Sequence, residues 1–191
     1  MGSVAIISSG GGGLPSGADV EVKAGESLAT ALSSNSGVYV SGDPAAITAQ
    51  ILLSGDRLIH VKPGVTITID SSLAGTSPFS LATNRLTFVC PGTFTILAEN
   101  TGILFTATNC ILNVFGRMAL DLDHNTSVSA QFFNAIGGFI EQLDLNLANT
   151  TSAIIGNGPE PLRFDEVRAR ASGTSSSNLT LADRDWETLE L

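Results

Sequence analysis

Thr101-Gly-Ile-Leu-Phe-Thr-Ala-Thr-Asn109 decides the fold, because the chain writes nearly the same phrase on either side of it at one interval. Thr76-Ser-Pro-Phe-Ser-Leu-Ala-Thr-Asn84 precedes it, Thr126-Ser-Val-Ser-Ala-Gln-Phe-Phe-Asn134 follows it, and Thr151-Ser-Ala-Ile-Ile-Gly-Asn157 is a looser copy; each begins 25 residues after the last. Laid over one another on that interval, the segments give apolar columns: Leu86, Ile111, Ile136; Val89, Val114, Phe139; Leu97, Leu122, Leu147; Ile103, Val128, Ala153. A fixed period of this length, built of short alternating strands, marks a coil that completes one turn per repeat.

Inside one repeat, Leu120-Asp-Leu-Asp123 and Leu143-Asp-Leu-Asn-Leu147 alternate apolar and polar, so one side is buried and the other wet. Turn residues fall at Pro91-Gly92, Gly116-Arg117, His124-Asn125, Gly137-Gly138 and Asn149-Thr150. Short strands with no helix to carry a crossover predict a parallel β-helix, its apolar columns stacked rung upon rung about 4.8 Å apart. Asn84, Asn109 and Asn134 share one position of the repeat. Asn accepts the left-handed backbone and can bond to its own kind on the next rung, so a stacked turn ladder is expected.

On these residues, from about Gly37 to Leu181, the chain resembles the single-stranded right-handed parallel β-helix of pectin-lyase-like proteins and phage tailspikes. The resemblance is one of pattern and brings no active-site phrase with it. The expected organisation is all-β: a Gly-rich amino-terminal arm (residues 1–17), a capping strand and helix (18–36), the β-helix (37–181), and a carboxy-terminal cap or subunit contact (182–191). Gly25-Glu-Ser-Leu-Ala-Thr-Ala-Leu32 has Leu28 and Leu32 at helical spacing, fitting a short helix over the open first rung, where it would shield edge amides. Val38–Ser41, Ile47–Leu53, Arg57–Val61 and Val65–Ile69 read as successive strands; Leu162–Ala171 fits a last pair of strands better than a short helix, because its charged residues mostly alternate with apolar ones, and Asn178–Leu181 resembles one more rung strand. Trp186, the sole tryptophan, suits the far end.

Charged residues are 14% of the chain and the net charge is −9, with nine scattered Lys and Arg. Such a surface does not track phosphates, and nucleic acid is not an expected partner. No apolar run spans a bilayer, and Met1-Gly-Ser-Val-Ala-Ile-Ile7 lacks the form of a signal peptide, so synthesis in a host cytoplasm without membrane insertion is expected. Cys90 and Cys110 occupy different columns and read as buried free thiols; two distant histidines and two distant cysteines give no zinc spacing, and no cofactor or metal is expected. Ser8-Ser-Gly-Gly-Gly-Gly-Leu-Pro-Ser-Gly17 reads as a tether, since successive glycines hold no shape alone. Val4, Ile6, Ile7 and Leu14 on that arm are the candidate contacts to a particle surface.

Three functions follow from these expectations. The resemblance implies a non-enzymatic structural protein of a phage virion, a capsid decoration, head fibre or short tailspike on the outer surface, attached by its arm to capsid or tail proteins and assembled as a homotrimer. The alternative is an adhesin or depolymerase for a host surface glycan. Glycan hydrolysis needs paired carboxylates on one outward face, and Asp121, Asp123, His124 and Asp144 are the best such group, though the alignment places no Arg beside them. The third is a cell-wall module: Val22-Lys-Ala-Gly-Glu-Ser-Leu28 with Val61-Lys-Pro-Gly-Val-Thr-Ile67 is similar to the opening and closing phrases of LysM domains, although Gly37–Gly42 reads as strand where a helix pair is needed.

Overall fold

Alternation of inward apolar and outward polar side chains recurs strand after strand, and parallel pairing stacks those strands into a coil. The structure, a computed structural model, describes residues 13–73, 77–99, 103–155, 162–172, 178–181 and 186–190, and the side chains of 13–73, 77–98, 111–122, 137–148 and 162–170. In chain order come β1 (Val20–Val22), α1 (Leu28–Ser34), β2 (Gly37–Val40), β3 (Ile51–Leu52), β4 (Arg57–Val61), β5 (Thr66–Ile69) and β6 (Phe79–Ser80). Then β7 (Arg85–Glu99), β8 (Ile103–Ile155) and β9 (Leu162–Ser172) carry most of the coil, followed by β10 (Asn178–Leu181) and β11 (Trp186–Glu190). The result is a parallel β-solenoid with rungs about 25 residues apart.

Three ladders run up it. The first is β1-β2-β4 and the first part of β7, continued by Arg85↔Ile111 onto β8 and by Gly138↔Leu162 onto β9. The second joins β5 to the later part of β7 (Ile67↔Ile96), then β8 (Ile96↔Leu120). The third links β3, β6 and β8 through Ile51↔Phe79 and Phe79↔Phe105. Inward columns such as Val38-Ile59-Phe88-Val114 and Ile67-Ile96-Leu120 are wholly buried. Phe88 stacks on Phe94 at 5.2 Å and meets Phe79 edge-on at 6.5 Å. Each such side chain contributes roughly 1.5–3 kcal/mol through burial, so the stacked interior is the main source of stability.

The coil turns its corners where glycine permits. Gly116 (φ 109) and Gly138 (φ 125) lie within β8, and a Cβ on either would run into the carbonyl oxygen of the rung behind, Cys90 and Leu112 respectively. The expected helix forms as α1, capped by Ser27 Oγ accepting from Thr30 N at 3.2 Å and stopped at Asn35. Leu28 and Leu32 are buried in the core, as a capping helix requires. Arg57 Nε ties its end to the coil by donating to the Leu32 carbonyl at 2.8 Å.

Several expectations need correction. The interval is not a constant 25: Leu86 faces Leu112, 26 residues on, whereas Ile96 faces Leu120, 24 on, with the register changing between Val89 and Thr93. A one-residue slip exchanges inside for outside. Thus Ile111 is exposed and pairs with Arg85, Leu97 is half-buried beside Asp121, and Val89 and Phe139 also point outward. Ile136, Ile103, Val128 and Ala153 lie outside the described side chains. Asn84 donates its amide to the Leu53 carbonyl at 2.6 Å, on the rung behind, and the left-handed residue nearby is Ala82 (φ 51). Asn109 and Asn134 lie outside the described side chains. The stretch expected as one strand from Ile47 is shorter, an isolated bridge Ile47↔Ile69 followed by β3.

The two phrases similar to LysM are turns of the coil, one leading from β1 into α1 and the other from β4 into β5, with β2, β3 and β4 in parallel pairing between them, so no LysM arrangement forms. Cys90 is a buried free thiol, and burial raises its pKa; the Cys110 side chain is outside those described. Trp186 pairs with Phe164, so the closing segment adds a parallel strand to the coil. The Trp186 side chain is likewise outside those described.

Candidate functional site

Beyond the Gly116 corner, the second ladder presents a flat polar side to solvent. Met118, Leu120, Leu122, Leu143, Leu145, Leu147 and Val167 point inward and are buried. Alternation therefore turns Arg117, Asp121, Gln142, Asp144, Asn146, Glu166 and Arg168 outward. Parallel register lays them in rows, Gln142 opposite Glu166, Asp144 opposite Arg168 and Asn146 opposite Arg170.

These side chains hold one another across rungs. Arg117 Nε donates to Gln142 Oε1 at 3.0 Å, and Gln142 Nε2 donates onward to Glu166 Oε2 at 3.0 Å. The Arg117 guanidinium lies 3.6 Å from Asp144 Oδ2 and 3.8 Å from Glu166 Oε2, and Arg168 pairs with Glu166 Oε1 at 2.5 Å. Asn146 Nδ2 donates to Asp121 Oδ1. Among the ion-paired members, the carboxylates of Asp144 and Glu166 balance the guanidinia of Arg117 and Arg168, with side chains 19–36% exposed. Partial screening by solvent keeps each pair to a few tenths of a kcal/mol up to about 1 kcal/mol.

Of the residues expected to carry chemistry, Asp121 and Asp144 do share the outward face, each engaged by a neighbour from the next rung. Asp123 has its backbone paired with Glu99, and the side chains of Asp123 and His124 lie outside those described. The expectation that no Arg lies beside these carboxylates is wrong: Arg117 reaches Asp144. The fixed 25-residue overlay sets Arg117 over Gln142, and the guanidinium reaches Asp144 diagonally, so no column of the overlay shows the contact. Among the described residues, no group of three His, Cys, Asp or Glu side chains is placed to hold a metal ion.

A second set of carboxylates escaped sequence reading altogether. At successive corners an acidic side chain accepts a backbone N–H of an adjacent rung: Asp19 from Gly37 at 2.9 Å, Asp43 from Thr66 at 2.8 Å, Asp56 from Arg85 at 2.8 Å and Glu141 from Gly116 at 2.7 Å. Corner amides have no ladder partner, so a carboxylate that reaches them satisfies a donor otherwise left to water. The bond from Gly37, aided by Ser36 Oγ, holds the Asp19 carboxyl below its ordinary pKa. Asp beside Gly at a turn, in Gly42-Asp43 and Gly55-Asp56, was the available signal for two of them; Asp19 and Glu141 carry no such mark.

Of the arm, Leu14 is 41% exposed, while Val4, Ile6 and Ile7 lie outside the described residues. His60, in β4, is half-buried with Nε2 3.0 Å from the Ser16 carbonyl, so the end of the arm crosses the first ladder there. No helix among the described residues is long and apolar enough to cross a membrane. Compared with protein-family models, with curated proteins and with solved structures, the chain matches none.

Proposed function

We propose that this protein is a non-enzymatic structural element of a virus particle, of the phage decoration or short-spike kind, in which the solenoid is a stiff body and the amino-terminal arm the attachment. The observation that carries this reading is the engagement of the outward carboxylates: Asp121, Asp144 and Glu166 are each held by an amide or guanidinium from an adjacent rung. Side chains used this way brace one rung against the next. A hydrolase would keep one acid and one base free to face a substrate. Assignment to a virion and to a homotrimer rests on fold analogy.

Imaging the particle with an antibody to the coil tests it. Ser16 and Gly17 meet the coil at His60 and Leu58, so removing residues 1–12 should leave a folded protein that no longer joins particles. Retention on the particle after that removal would overturn the attachment role. The second reading, a glycan-binding adhesin or depolymerase, is favoured by one observation, the placement of Asp121 and Asp144 on one face of adjacent rungs. Release of reducing ends from host polysaccharide, abolished by Asp121→Asn or Asp144→Asn, would replace the structural reading with that one.

A further inference from the structure

We draw no further inference here: the strongest candidate, the outward row of Asp121, Asn146 and Arg170 along the edge of the second-ladder mesh, belongs to the site already described, and nothing in the structure shows what would cover it.

Discussion

Phe115, Gly116 and Arg117 are consecutive, yet they belong to two unlike surfaces. On the Phe115 side the outward column is Tyr39, His60, Val89, Phe115 and Phe139. On the Arg117 side it is a mesh of Arg117, Gln142, Asp144, Glu166 and Arg168. Both sit over the same kind of interior, with the same rung spacing. Inward positions answer to packing and are alike on every side, whereas outward positions are free to differ, so function has to be read from the outside of the coil. The Arg117 side is tied together by charged and amide side chains, whereas the Phe115 side is mostly apolar.

The largest effects should come from what the two sides share. Phe88→Ala empties a buried site between Phe79 and Phe94 and should cost about 3–5 kcal/mol in urea unfolding. Phe115→Ala, one rung away but outward, should cost about 1 kcal/mol. Equal costs would mean that Phe115 is core and the two-surface description is wrong.

Next come the corners that divide the sides. Gly116→Ala combines a left-handed backbone with a Cβ driven into the Cys90 carbonyl, for an expected loss of about 2–4 kcal/mol. Gly64→Ala has a similar φ of 84 but open space around it, so only about 1 kcal/mol should be lost. The difference between the two measures the clash apart from the backbone preference. If both lose the same amount, the rung behind Gly116 yields easily and the corner is softer than its geometry implies.

How much of this was legible depended on whether a feature repeats or drifts. The Thr and Asn phrases repeat because turns stack on turns, and they announced a coil. Reading Leu120-Asp-Leu-Asp123 by its own alternation put Asp121 outward correctly. Carrying one phase through a whole repeat failed at Pro91-Gly92, where the increment passes from 26 to 24. That slip sent Ile111 and Leu97 to the wrong side and concealed the Phe115 and Phe139 pair. The Arg117 contacts were hidden for a related reason: long side chains reach diagonally, and no column of an alignment shows a diagonal.

Smaller effects would sharpen the polar side. A double-mutant cycle on Arg117→Met and Asp144→Asn should give a coupling of about 0.2–1 kcal/mol. That coupling should fall toward zero in 1 M salt, where screening reaches within about 3 Å. A coupling that ignores salt would indicate a drier network than exposures of 26–27% for this pair allow.

The smallest effect concerns acid, and its sign follows from Asp19. Gly37 N–H and Ser36 Oγ stabilise the charged carboxylate, so its folded pKa lies below the ordinary 3.8. Asp70, held by Ser72, is shifted the same way. When pH falls below 3.8 the unfolded chain takes up protons before the folded one does, so stability falls. Above that value the contribution is complete and flat. Asp19→Asn keeps an oxygen to accept from Gly37 but cannot titrate, so its stability should decline less steeply than that of the parent as pH is lowered through 3.8. Parallel acid curves for the two proteins would show that the Asp19 bond to Gly37 contributes nothing as a charge, and would reduce the corner carboxylates to space-fillers.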